Sequence, residues 1–166
     1  SAWEEYLQGL RCFHERQRTD YEDPGLTQAH QHFERAIELD PTLSDAHSYL
    51  SICGAWELVY FITKDPGQTL NSMLVHGRKA EALNSENPLA LTGIATAYFL
   101  HGDHATARDH TQRAVQFNPS FALSYFWLAL AQVHFGDYHD GESSILKAFE
   151  LSPVDPDLDK FHGTLC

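Results

Sequence analysis

Residues 88–119 read PLALTGIATAYFLHGDHATARDHTQRAVQFNP, and residues 122–153 read ALSYFWLALAQVHFGDYHDGESSILKAFELSP. Laid one beneath the other, the two strings agree at a step of 34 residues: Ile94 with Leu128, Gly102 with Gly136, Asp103 with Asp137, Ala114 with Ala148, Phe117 with Leu151 and Pro119 with Pro153. Ala80 and Leu83 extend the same registers one step back. A single period shared by six registers marks a repeat array, in which each unit is too small to bury its own apolar face and leans on the next. Within a unit the order is helix, turn, helix. Glycine takes the left-handed conformation that ends the first helix, and the aspartate after it caps the second. The proline stands where the second helix has to stop. Small residues such as Ala95, Ala97, Ala129 and Ala131 let helices approach, while Tyr98, Tyr125 and Leu128 fill the space between them.

Towards the N-terminus the step lengthens. Ala36 to Ala80 and Leu39 to Leu83 are both 44 residues apart, so the second unit carries about ten extra residues, falling near 56–68. The pattern predicts helix pairs over 3–18 with 25–39, 44–62 with 67–84, 88–101 with 104–117, and 121–135 with 138–151. Asp23-Pro24, Asp65-Pro66 and Asn87-Pro88 each join a capping side chain to a proline at the first helical position, where the missing amide costs nothing. Asp155-Pro156 is a fourth such pair and predicts a further short helix or cap over 156–166. The expected architecture is all-α: one right-handed superhelical solenoid of four hairpins, with units near 3–43, 44–87, 88–121 and 122–155 and the second enlarged.

Composition excludes several function classes. Apolar residues make up 43 % of the chain, ample for a buried core. Eleven basic against 23 acidic residues give a net charge of −12, which repels phosphate backbones and anionic membrane surfaces and draws in basic partners. No nucleic-acid or membrane partner is expected. The most apolar stretch, 121–135, is too short to span a bilayer. Cys12, Cys53 and Cys166 are odd in number and far apart, which fits neither a disulfide framework nor a zinc site and favours reduced thiols in a cytoplasmic setting. The opening Ser1-Ala2-Trp3 has neither the basic nor the long apolar segment of a signal peptide, and the chain reads as a piece of a larger protein.

The segment 88–153 resembles the tetratricopeptide repeat (TPR): Tyr98, Gly102-Asp103, Ala107, Ala114 and Pro119 in one unit, then Tyr125, Leu128, Gly136-Asp137-Tyr138, Ala148 and Pro153 in the next. Gly141 departs, standing where the family carries alanine. The run from Phe33 to Pro41, the run from Asp45 to Ser51 and the string Leu151-Ser-Pro-Val-Asp-Pro are also similar to TPR regions that follow an adenylate/guanylate cyclase domain or a winged-helix regulator in bacterial proteins. The resemblance implies that a partner lies along the concave face, lined by the first helix of each unit. In register, that face carries Trp3, Tyr6, Leu10 and Phe13, then Ser48, Ile52 and Trp56, then Leu89, Thr92, Thr96 and Phe99, then Leu123, Phe126, Leu130 and Val133. The family's carboxylate clamp of lysine, asparagine and arginine finds no counterpart at these positions. An apolar groove suits an amphipathic helix or another apolar segment of a protein partner. It suits a second copy of the chain equally, which would make the module a homodimerisation scaffold. Aromatics at helical spacing are also what a helix core contains, so each of these residues has a packing reading beside the binding one.

Chemistry is sparse. No G-x-S-x-G, phosphate-binding glycine loop or H-E-x-x-H occurs, so no enzyme activity and no cofactor are expected. Eleven histidines include His101, His104 and His110, with His134 and His139 one unit on. They keep a metal-sensing site in view beside the plainer reading of solvated turn histidines. His30 and His32, two apart, face different sides of their helix. The preferred reading is a protein-interaction module of a larger signalling or regulatory protein.

Overall fold

The computed structural model describes residues 1–16 and 23–153. Among them are eight helices and no strand: α1 (Ala2–His14), α2 (Pro24–Leu39), α3 (Ser44–Val59), α4 (Pro66–Leu83), α5 (Pro88–His101), α6 (His104–Phe117), α7 (Ala122–His134) and α8 (Tyr138–Leu151). Each odd-numbered helix packs against the even one that follows, and each pair packs against the next. That is the chain of hairpins the period requires. The expected extension of the first helix to 18 and the cap over 156–166 lie outside the described residues.

The helix boundaries follow from local chemistry. Asp23, Asp65, Asn87 and Asp103 accept hydrogen bonds from the backbone amides of Leu26, Gln68, Leu89 and Thr106, at 2.9 to 3.1 Å. These satisfy donors a helix start would leave orphaned. Gly102 (φ 95°) and Gly136 (φ 81°) adopt the left-handed conformation that closes α5 and α7. One expectation fails: Asp137 does not cap α8. Its carboxylate turns instead to Arg108 across the hairpin junction, at 3.4 Å. Gly141 is explained by contact, since a Cβ there would stand 2.6 Å from Val133 Cγ2.

The hairpins are joined by short polar bonds as well as by apolar burial. Asn87 donates to the Asp45 carboxylate at 2.6 Å, Ser51 donates to the Gly93 carbonyl at 2.7 Å, and Thr92 and Ser124 share a 2.6 Å hydroxyl bond. These tie α3 to α5 and α5 to α7. At Gly93 an added Cβ would meet the Ser48 carbonyl at 3.0 Å, so α3 and α5 cross almost backbone to backbone. At the N-terminal hairpin the buried Arg16 guanidinium stands 3.4 Å from the buried Asp23 carboxylate and 4.1 Å above the Phe13 ring. That contact draws together the ends of α1 and α2.

Candidate partner-binding surface

The odd helices α1, α3, α5 and α7 form the row along which a partner was expected. Between Ala46 and Trp56 every residue of α3 is buried. The reason lies in the enlarged hairpin. Trp56, near the end of α3, reaches past α5 to α7, where its ring centre lies 5.7 Å from Phe126 and 6.0 Å from Trp127. Phe99 meets Trp127 edge-on at 5.7 Å, and Tyr60 stacks on Trp56 at 5.6 Å. An aromatic cluster thus fills the middle of the inner curve.

This divides the expected groove residues. Tyr6, Phe13, Ser48, Ile52, Trp56, Thr92, Thr96 and Phe126 are buried in the core and offer nothing to a partner. The groove assignment is corrected for them. Tyr6 and Phe13 pack on Tyr49, Thr96 bonds the Gly93 carbonyl at 2.7 Å, and Phe126→Glu would break the core rather than probe a surface. Leu10, Leu89, Phe99, Leu123, Leu130 and Val133 are half-buried. Val133 faces α8 through its contact with Gly141. Trp3 alone of the set is open, at 56 % exposure. Beside it the register missed Leu7, 45 % exposed and one turn further along α1. Trp3, Leu7 and Leu10 fall at i, i+4 and i+7 and form one stripe. The helical spacing of α1 alone could have shown it, without the family register.

The histidines separate into pairs. His104 and His134 stack with ring centres 3.6 Å apart, and Phe99 abuts His104. His110 bonds Glu81 at 3.0 Å. His30 and His32 do face different helices, the first bonding Glu57 of α3 and the second Glu5 of α1, each at 2.7 Å. His47 donates from Nε2 to the Pro41 carbonyl, so its Nδ1 is the acceptor for His76 Nδ1 at 3.0 Å. An N–H···N bond occupies both of those nitrogens. Among the described residues no group of three or more His, Cys, Asp or Glu side chains is placed to hold a metal ion. No described helix is long and apolar enough to cross a membrane.

The fold is that of tetratricopeptide-repeat proteins. The sequence matches no family model and no curated protein. Solved structures match it. A structure from the functional characterisation of Pseudomonas aeruginosa pilF superposes with a TM-score of 0.63 at 18 % identity, covering 98 % of this chain and 68 % of that one. The thermophilic TPR protein TTC0263 of Thermus thermophilus gives 0.57 at 16 % identity, covering 99 % and 98 %. The first TPR of Spaghetti (RPAP3), bound to the HSP90 peptide SRMEEVD, gives 0.53 at 18 % identity, covering 70 % and 86 %. At such identities the likeness is one of fold.

Proposed function

We propose that this chain is a non-enzymatic protein-interaction module whose docking surface is the α1 stripe of Trp3, Leu7 and Leu10, and that its partner is an amphipathic helix with a basic polar face. The observation that carries the reading is the exposure of Trp3 and Leu7 together on one helix face. Tryptophan is among the residues most favoured as an interface anchor, and apolar side chains at i, i+4 and i+7 suit the face of a partner helix. The choice of a basic partner rests on the net charge of −12, which attracts cations and opposes nucleic acid. The Spaghetti (RPAP3) structure holds a peptide, which supports a peptide-binding role for the fold. The same reading places the module in a larger cytoplasmic signalling or regulatory protein, supported by the free thiols of Cys12 and Cys53 and by the sequence likeness to cyclase- and regulator-linked repeats.

Fluorescence tests this directly, because Trp56 and Trp127 are buried and Trp3 is not. Titration with a Leu/Lys amphipathic peptide shifts the Trp3 emission to the blue and protects it from acrylamide, whereas a Leu/Glu peptide does neither. The Trp3→Glu, Leu7→Glu double variant keeps its helical circular dichroism and loses Leu/Lys binding. Undiminished binding by that variant would remove the stripe from consideration. In the homodimer alternative a second copy occupies the same stripe, and sedimentation then shows mass rising with concentration in the wild type but not in the double variant.

A further inference from the structure

α3, α5 and α7 end in the same pair of backbone bonds. At α5 the Gly102 amide donates to the Phe99 carbonyl at 3.1 Å and the Asp103 amide to the Tyr98 carbonyl at 2.9 Å. At α7 Gly136 donates to Val133 and Asp137 to Gln132, both at 3.0 Å. At α3 Phe61 donates to Leu58 at 3.2 Å and Ile62 to Glu57 at 2.9 Å. The motif asks for a positive φ at its turning residue, and α5 and α7 fill that place with glycine. α3 fills it with Phe61, held at a φ of 57° with its ring 92 % exposed. A bulky side chain strained into a glycine position and left unpacked does nothing for the core, and such outliers gather where a ligand or partner is held.

The ring lines a hollow of about 470 Å³ between the enlarged turn and α2, together with Ile62, Pro24, Thr27, Gln28 and Gln31. His30 bonds Glu57 at 2.7 Å, which fixes α2 against the end of α3 and so sets the two walls relative to each other. Pro24, Thr27, Gln28 and Gln31 are all exposed, so the α2 wall is open to a ligand. The lining carboxylate, Asp23, is 2 % exposed and faces Arg16 at 3.4 Å. Gln28 and Gln31, three apart, share one helix face. Gln28 Oε1 receives the Cys12 thiol at 3.8 Å, which leaves its amide protons, and Gln31 makes no side-chain hydrogen bond among the described residues.

These features select the occupant. No exposed charge lines the hollow among the described residues, so a charged partner would give up hydration there without gaining a pair. A helix keeps its backbone bonds to itself and would press apolar side chains onto the two glutamine amides. A strand needs the edge of a sheet, which a helix does not offer. A polyproline II segment has no internal hydrogen bonds, so its carbonyls are open to amide donors, and its rings suit an aromatic wall. We propose that Phe61 and the exposed face of α2 bind an uncharged, proline-rich segment of a partner protein in the polyproline II form. Phe61 packs against its pyrrolidine rings, and Gln28 and Gln31 donate to its carbonyls. The site is separate from the α1 stripe and does not rest on it.

Fluorescence anisotropy with a labelled oligoproline of about ten residues is the test, beside a Gly/Ser peptide of the same length. The oligoproline binds, and the Gly/Ser peptide binds at least roughly tenfold more weakly, having no rings to place on Phe61. Phe61→Gly melts no lower than the wild type yet loses at least roughly tenfold in affinity, which separates the role of the ring from any damage to the fold. Phe61→Trp keeps an aromatic wall and keeps binding, and Gln31→Ala weakens it by a smaller factor. The Trp3→Glu, Leu7→Glu variant binds the oligoproline as the wild type does. Four results would overturn the proposal: no oligoproline binding up to about 1 mM; equal binding of the Gly/Ser peptide; undiminished binding by Phe61→Gly; or loss of binding in the Trp3→Glu, Leu7→Glu variant, which would put the peptide on α1.

Discussion

Phe61 carries the clearest single-residue tension in the molecule. Its φ of 57° places a bulky side chain in the left-handed region, and the ring is 92 % exposed. The backbone strain there costs about 1–2 kcal/mol, and exposed ring atoms return almost none of it. Phe61→Gly is therefore expected to stabilise the fold by about 1 kcal/mol, less than the full strain because glycine is freer when unfolded. Urea titration of the two proteins measures it, and a loss of stability would mean that the ring packs on something after all. The same hairpin shows what a residue's register can and cannot reveal. The repeat period places Ile52, Trp56, Thr92, Thr96 and Phe126 on the odd helices, and they are there. It says nothing of how near the next helix comes. A signal was present: Ser48, Ser51, Gly93 and Thr96 are small residues on facing helices, and an open groove has no need of them. Trp56 was the decisive side chain, and its contact with Phe126 of α7 joins residues 70 positions apart, which no local pattern records.

At the scale of elements, glycines test how closely helices are pressed together. At Gly77 in α4 a Cβ would lie 2.9 Å from the Ile94 Cα of α5 and 2.8 Å from its Cδ1, so Gly77→Ala forces two backbones apart. A cost of about 1–3 kcal/mol is expected. At Gly67, in the first turn of the same helix, the nearest atom to an added Cβ is Asp65 Oδ1 at 3.5 Å, and the backbone is ordinary. Gly67→Ala should stabilise by about 0.4–1 kcal/mol through helix propensity and a less disordered unfolded chain. The same chemical change on one helix thus has opposite signs, and a pair of melting curves decides it. Equal shifts for both would refute the tight α4–α5 crossing. Elements were the most legible level in the sequence. Capping residues with proline behind them placed the starts of α2, α4 and α5, and Gly102 and Gly136 placed the turns, because these signals act over a few residues. Asp137 misled because its choice between capping α8 and pairing with Arg108 depends on a residue 29 positions away.

The molecule as a whole should be sensitive to mild acid before its carboxylates matter. Burial holds His76 down to about 4 from its ordinary value of 6.5, helped by the neighbouring His47 and His30. Burial likewise lowers His47, with Lys79 adding to the effect, and lowers His104 beside His134. A histidine whose folded value is depressed favours the fold while neutral. Its contribution is complete above the unfolded value of about 6.5 and is lost as pH falls towards the folded one. His30 runs the other way. Burial opposes its charge, but the hydrogen bond and attraction of Glu57, with Glu34 behind, outweigh that and raise it. Its stabilisation is present in acid and fades as pH rises through its folded value. Three lowered groups against one raised group leave a net loss below pH 6.5, with His76 the largest part of it. The depressed carboxylates of Glu5, Asp40 and Asp103 start from ordinary values of 4.5, 3.8 and 3.8, so their losses come later in the titration. Unfolding free energy measured by urea from neutral pH to about pH 4 should therefore fall steadily across the histidine window. In His76→Asn, which keeps an amide donor for His47 Nδ1 but cannot titrate, the stability at neutral pH drops slightly and the slope below the ordinary histidine value of 6.5 flattens. An unchanged slope would mean that His76 takes up its proton as readily in the folded chain as in the unfolded one, and that the His47–His76 bond does not resist charge.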